Sequence, residues 1–192
     1  MSIILDTTNG FVPPSLTTTQ RNAIVSPISG AIIKNTTTGR IEIFNNTTWR
    51  NLSIEGPAFS VAVGSPYQTI SPNTWTKITF SAVDFDTNSC YDALINFRFT
   101  PSIQGYYQVS LQQLMASGST TNYCTGAVYK NGALYKSMKG QTIGGNYSEE
   151  SLSFPMYFNG TTDYMEAYSY IETNVGYIYP MSCFSAIFIR GI

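Results

Sequence analysis

The chain has 192 residues, of which 11% are charged and 43% hydrophobic, and its net charge is −1. This length suits one domain with a small additional segment, and the low charge gives no electrostatic basis for binding nucleic acid or an anionic membrane. The chain contains no histidine, which excludes a Ser-His-Asp or Cys-His catalytic site and a histidine-ligated zinc site. We therefore expect a β-rich structural protein, not an enzyme, with no cofactor or metal.

Residues 1–55 are rich in threonine and asparagine and predict only short elements. A threonine run predicts one helical turn over residues 20–24. Three short strands, separated by the turn sequences "NTTTG" and "NNTT", are predicted near residues 31–34, 40–44 and 49–52. Because three small strands are marginally stable alone, we expect them to pack on a partner. The sequence "EGP" marks the predicted junction with a second domain over residues 56–192.

From Ala58 onward, short strands follow one another with turn signals between them. In "FTPSIQGYYQVSL", alternation predicts Tyr107, Val109 and Leu111 on the core face of a strand. Two Asn-Gly pairs, Asn131-Gly132 and Asn159-Gly160, predict two hairpins. Helical periodicity of useful length is lacking after residue 52. Eight to ten strands in this part of the chain indicate an all-β sandwich or jelly roll.

The cysteines and the acidic residues offer little evidence for a chemical site. Cys90, Cys124 and Cys183 lack metal-site or redox spacing, and we expect free thiols acting as small hydrophobic residues. Asp84 and Asp86, within "VDFDTNS", have the spacing of a calcium loop, but the glycine and the bidentate glutamate of that loop are missing. Solvated acids at a strand end are the favoured interpretation, with weak calcium binding as the alternative.

A set of motifs along the second domain resembles one known family. In order they are "AFSV", "WTKITF", "FRFTPSIQGYYQVSL", "AVYKNGALY", "DYMEAYSY" and "FSAIFI". They resemble the globular head of complement component one q, and the resemblance covers about residues 57–192. It implies a ten-strand jelly roll, shared with tumour necrosis factor, that forms a tight homotrimer.

The first segment has a resemblance of its own. "GFVPPSLTTTQRNAI" and the Thr/Asn-rich strands after it are similar to a module of bacteriophage tail fibres and other virion proteins, and of some bacterial surface proteins. Such a module implies attachment to other virion proteins, and we assign attachment to Phe11, Pro13, Pro14 and Ile24. A signal peptide and a collagen-like stalk are not recognisable, which favours a virion protein made in a host cytoplasm over a secreted one.

The last strand predicts an assembly surface, because both of its faces are apolar. In the resembled family this strand lies near the trimer axis. We therefore predict a trimer interface made of the aromatic and apolar residues of this strand and the tyrosines of another: Phe184, Ala186, Phe188, Tyr164, Tyr168 and Tyr170.

Several other tyrosines lie in or near Gly/Asn/Ser loops, where exposed rings can stack on sugars and donate hydrogen bonds. We predict receptor-binding loops at Tyr123, Tyr147, Tyr177 and Tyr179, with simple packing of loops onto the sandwich as the alternative. The favoured function is a trimeric tail fibre, spike or capsid fibre whose head binds a host glycan or protein. The alternatives are a capsid decoration or cement protein without a receptor, and a bacterial surface adhesin.

Overall fold

The computed structural model describes residues 5–6, 10–52, 56–118, 121–143 and 147–191, and divides into two compact units. We call Met1–Glu55 the front unit and Gly56–Ile192 the head. The predicted junction "EGP" contains the last residue of one unit and the first residues of the other.

The described residues of the front unit form six short strands and one helix. Their bounds are β1 Leu5–Asp6, β2 Gly10–Phe11, β3 Ser15–Leu16, α1 Thr18–Asn22, β4 Ile32–Asn35, β5 Arg40–Phe44 and β6 Trp49–Asn51. β3, β4, β5 and β6 form one sheet in that order, in which β3 is parallel to β4 and the other pairs are antiparallel. The three predicted strands are present, whereas the helix begins two residues earlier than predicted, because Thr17 caps it through a capping box with Gln20.

The head contains thirteen described strand segments. Their bounds are β7 Ala58–Ala62, β8 Gln68–Ile70, β9 Thr76–Lys77, β10 Ala82–Asp86, β11 Tyr91–Asp92, β12 Arg98–Phe99, β13 Gly105–Ser117, β14 Thr121–Lys130, β15 Ala133–Ile143, β16 Ser148–Phe158, β17 Met165–Ile171, β18 Gly176–Ile178 and β19 Cys183–Arg190.

These segments form two packed sheets, the layered arrangement of a jelly roll. In the first sheet, β10, β7, β19 and β13 are neighbours in that order. β13 also pairs with β16 and, near its end, with β18, which in turn pairs with β8. In the second sheet, β11, β12, β17, β14 and β15 are neighbours, and β9 pairs with β17. We call them the β13 sheet and the β17 sheet.

The core lies between the two sheets and follows the predicted alternation. Tyr107, Val109 and Leu111 are completely buried, and the Tyr107 hydroxyl donates to the Ile103 carbonyl at 2.7 Å. Phe59 stacks on Phe99 with ring centroids 4.5 Å apart. Cys90 and Cys124 are buried free thiols, while the third cysteine is only partly buried.

The two Asn-Gly pairs have different roles. Asn131 and Gly132 both have positive φ, which a two-residue hairpin turn requires, and they join β14 to β15 in one sheet. The prediction of a second hairpin at Asn159-Gly160 is wrong, because β16 belongs to the β13 sheet and β17 to the other. Of this pair only Gly160 has positive φ, and the Asn159 side chain accepts the backbone N–H groups of the next turn. The segment is therefore a corner between sheets.

Candidate functional site

The front unit is held together mainly by polar contacts. Asn35 is completely buried, and its amide donates to Glu42 and to the Thr18 hydroxyl, each at 3.0 Å. The Arg21 guanidinium lies 2.7 Å from the Glu42 carboxylate, which ties α1 to β5. Among the described residues of this unit, Ile33 is the one buried hydrophobic side chain. Such a small apolar core gives little stability to a unit of this size.

Apolar side chains of the front unit instead line an open groove or face solvent. The groove has a volume of about 440 Å³ and is lined by Pro14, Leu16, Ile24, Pro27, Ile28 and Trp49, among others. Val25 is 90% exposed and Ile28 80% exposed. Of the predicted attachment residues, Pro14 and Ile24 line the groove, whereas Phe11 and Pro13 do not and are half-exposed or partly buried. Exposed apolar surface of this kind is typical of an interaction site.

Part of the outward face of the β13 sheet carries no charged side chain, and we call this part the β19 face. Four adjacent strands supply its residues in register: Ala58, Ser60, Ala62, Cys183, Ser185, Ile187, Gln108, Ser110, Gln112, Ser151, Ser153 and Pro155. These side chains are small or neutral, and Ile187, in the row with Ala58, Gln108 and Pro155 at one end of the face, is 59% exposed. Asp84 on β10 borders the face and accepts a hydrogen bond from Ser60 at 2.8 Å. On β16 the face is bordered by Glu149, which accepts a hydrogen bond from the Gln112 amide.

This geometry corrects the predicted interface residues on β19. Phe184 and Ala186 point into the core, and they have no surface to offer another protomer. Phe188 is partly buried and packs on the core, with its ring 5.2 Å from that of Tyr107. The sequence indicated that both faces of the strand are apolar, but it could not say which face is inward. The exposed apolar residues of this strand are Ile187 and Ile189.

The tyrosines that were predicted to form the trimer interface together with Phe184 do not lie near β19. Tyr168 and Tyr170 are partly exposed on the outward face of β17, in the other sheet, and Tyr164 is partly exposed just before that strand. Tyr168 lies 4.2 Å from Tyr129 between ring centroids, and the Trp75 ring lies 5.4 Å from that of Tyr170. A role of these three tyrosines in trimerisation stays a prediction.

Three of the four predicted receptor-binding tyrosines come together in one cluster. The Tyr147 ring lies 5.1 Å from Tyr179, and Tyr67 lies 5.1 Å from Tyr177 and 5.7 Å from Tyr179. Burial and the Tyr147 hydroxyl raise the pKa of Tyr179. Tyr67 was missed by the sequence analysis because it precedes a short strand distant in sequence. Tyr123 is separate from these ring contacts and lies under the Lys139 ammonium, 4.4 Å from the ring centroid.

Glu150, near the start of β16, is a buried acid that lies between the two sheets. Glu150 accepts the Cys124 thiol at 2.9 Å, and its second carboxylate oxygen has no hydrogen-bond partner among the described residues. Burial raises the pKa of Glu150, and burial with the carboxylate beside it raises the pKa of the Cys124 thiol to about 12. A thiol that stays protonated is a poor nucleophile, so this pair does not form a reactive site.

The acids of the candidate calcium loop have structural partners. Asp86 accepts the backbone N–H groups of Tyr91 at 2.8 Å and Cys90 at 3.1 Å, which closes the turn after β10. Within the described part of the chain, no three acidic, cysteine or histidine side chains group together as metal ligands. The helix found in the described residues is too short to span a membrane.

The fold of the head defines its class: a two-sheet jelly roll of the tumour necrosis factor and complement type. The chain is similar to the globular domain of a zebrafish complement 1qA protein, with 15% identity and a TM-score of 0.53 over 72% of this chain and 100% of that one. It is also similar to Eiger TNF from S. frugiperda, with 7% identity and a TM-score of 0.52 over 71% and 94% of the two chains. A third similar structure is that of murine APRIL at pH 5.0, with 9% identity and a TM-score of 0.52 over 70% of this chain and 100% of that one.

The family comparison concerns the other end of the chain. Residues 2–81 match the family model described as phage tail like trimerisation region, which extends past the front unit into the first strands of the head. No curated protein matches the chain. Both resemblances found in the sequence are therefore confirmed, as is the all-β jelly-roll fold. The trimerisation match supports self-association as a homotrimer and a tail-fibre-like protein.

Proposed function

We propose that this protein is a homotrimeric structural component of a virion, tail-fibre-like, with an attaching front unit and a head that contacts the host. The observation that carries the proposal is the match of residues 2–81 to a phage tail like trimerisation region. The small apolar core of the front unit supports it, since the exposed apolar side chains need a partner to cover them.

Two surfaces contribute to the proposed trimer. In the front unit, the exposed apolar residues and the groove bind either the front units of the other protomers or another virion protein. In the head, the β19 face brings protomers together, because small uncharged side chains permit close approach and burial of Ile187 is favourable. The tyrosine cluster of Tyr67, Tyr147, Tyr177 and Tyr179 is the proposed host-contacting site.

Solution mass tests the assembly. We expect light scattering of the full chain to give about three times the protomer mass of 21.2 kDa. A monomer at micromolar concentration would contradict the trimer and, with it, multivalent binding through the head.

Particle analysis tests the biological role and separates it from the alternatives. We expect the chain in purified particles, and an antibody against the head to block adsorption to host cells. Presence in particles without a block of adsorption would instead indicate a decoration or cement protein. Recovery from cell envelopes without particles would indicate a bacterial surface adhesin.

A further inference from the structure

The outward face of the β17 sheet has a continuous aromatic strip. Association of protomers through the β19 face leaves this strip uncovered, and Tyr168 and Tyr170 then belong to the strip and not to a trimer interface. The four members of the strip are Trp75, Tyr129, Tyr168 and Tyr170. Trp75 links the strip, since its ring lies 5.9 Å from Tyr129 and 5.4 Å from Tyr170. This face belongs to the opposite sheet from the β19 face.

Ordered contacts hold the strip in position. The loop before β9 is fixed to β17, because the Asn73 N–H donates to the Ile171 carbonyl at 2.7 Å and the Tyr170 hydroxyl donates to the Asn73 side chain at 3.1 Å. Beneath the rings, Ala127 is completely buried, so the rings lie directly on the sheet. Rings fixed in this way lose little conformational entropy when a ligand stacks on them.

Charge on and beside the strip is nearly cancelled. The Lys77 ammonium lies 2.6 Å from the Glu166 carboxylate, and the Tyr168 hydroxyl donates to the other oxygen of that carboxylate at 3.3 Å. Arg98 on β12 lies over the ring of Tyr164 at 4.6 Å, and the Lys139 ammonium on β15 is paired with the Glu172 carboxylate at 3.1 Å. The strip therefore combines apolar ring faces with hydroxyl, amide and paired charged groups at its edge.

The exposed area of the strip suits a small ligand better than a protein. Trp75 is 37% exposed and the three tyrosines are only partly exposed. At about 250 Å² for a whole aromatic side chain, the four together present at most about 400 Å². A standard protein interface needs about 800 Å² from each partner.

We propose that this aromatic strip is a binding site for a neutral saccharide, stacked on Trp75 and hydrogen-bonded at the polar edge. Sugar rings offer apolar C–H faces to the aromatic rings and equatorial hydroxyls to groups such as the Asn73 side chain and the partly exposed Lys77 ammonium. The inference rests on the proposed function and deepens it, because it gives host contact a chemical class and adds a second contact site to the tyrosine cluster.

Glycan binding by the full chain tests the proposal. The probes are immobilised neutral oligosaccharides of glucose, galactose, mannose and their N-acetylated forms, next to sialylated and sulfated ones. We expect retention of neutral glycans, lost at least tenfold in Trp75→Ala and reduced in Tyr170→Phe, which removes only a hydroxyl. Tyr135→Ala is the matched control and keeps the retention, since Tyr135 is 42% exposed, close to the 37% of Trp75, and lies outside the strip.

Fluorescence gives a second readout that does not depend on a disruptive variant. Trp49 and Trp75 are the two tryptophans, so in Trp49→Phe the emission reports on the strip alone. A saturable change with the retained glycan is expected. Absence of retention of any neutral glycan, retention of acidic glycans only, or equal retention by Trp75→Ala would overturn the site. Trimer mass measured on the same samples separates this failure from failure of the proposed assembly.

Discussion

Glu150 shows how one buried residue makes stability depend on pH. Its side chain lies against Gly140, where a Cβ would overlap it, and Cys124 is the one titratable group facing it among the described residues. Burial raises its pKa in the folded state above the unfolded value. The folded protein then binds more protons than the unfolded chain between those two values, so stability falls as pH rises through this window and stays lower above it.

We predict that Glu150→Gln removes this dependence. At pH 8 the variant should be more stable than the parent by about 1–3 kcal/mol, the range for a buried polar group without its full set of hydrogen bonds. At pH 4 the difference should shrink, because the parent carboxyl is then neutral as well. Thermal unfolding at pH 4, 6 and 8 measures this. Glu149→Gln, on the exposed side of the same strand, is the control, and parallel pH profiles for parent and Glu150→Gln would contradict the prediction.

Asn35 has a comparable role in the front unit, where it joins α1, β4 and β5. We predict that Asn35→Ala lowers the unfolding free energy by about 1–3 kcal/mol, because Glu42 stays buried and loses a donor. Differential scanning calorimetry of the full chain measures the change. Asn45→Ala is the matched control, since Asn45 accepts the Thr48 N–H at 2.9 Å but is exposed. A larger loss in the control would show that turn capping, not the buried network, stabilises the unit.

At the scale of elements, the two Asn-Gly turns give a direct comparison. Gly132 and Gly160 both have positive φ, but a Cβ at Gly132 would make only an ordinary van der Waals contact with the Tyr164 hydroxyl, whereas one at Gly160 would overlap the Gln104 backbone. We predict that Gly132→Ala costs about 1 kcal/mol of stability and that Gly160→Ala costs clearly more. Urea unfolding of the two variants measures the difference. Equal losses would mean that the corner between the sheets adjusts without cost.

A second comparison, between two exposed apolar residues, tests whether the outward face of β19 forms the trimer interface. We predict that Ile187→Asp dissociates the trimer while the head stays folded, because the charge would be buried at the β19 face only after association. The matched control is Leu134→Asp on β15, since Leu134 is 53% exposed and Ile187 59%. Sedimentation velocity should show at least a tenfold higher concentration for trimer formation in the first variant alone. Dissociation by both substitutions, or by neither, would exclude this face as the interface.

Phe188 is a poor choice for the same test. A Cβ on Gly56 would overlap its ring, and the ring also packs on Tyr107. An aspartate at this position would therefore destabilise the head itself, and loss of the trimer could not be ascribed to the interface.

For the whole molecule, composition predicts how the assembly responds to salt. Charged residues make up 11% of the chain, and the residues of the β19 face are uncharged. We predict that the trimer mass stays constant between about 50 mM and 1 M NaCl, because apolar burial is not screened as ion pairs are. Light scattering across this range measures it. Dissociation at high salt would show that charges outside this face hold the protomers together.

The sequence by itself determined the periodic features. Alternation placed Tyr107, Val109 and Leu111 in the core, since side chains on a strand alternate between two faces. It also indicated the strands of the front unit and, through motif order, the jelly roll. These features depend on neighbours along the chain, which the sequence displays directly.

Tertiary structure decided everything that depends on which strands become neighbours. Two apolar faces of β19 could not be distinguished until β7 and β13 were placed beside it, and only then did Phe184 become core and Ile187 surface. Likewise, identical Asn-Gly pairs became a hairpin in one place and a corner in the other. The aromatic strip joins Trp75 to Tyr129 and Tyr170 across long sequence distances, and such pairing is set by sheet order, which local pattern does not encode.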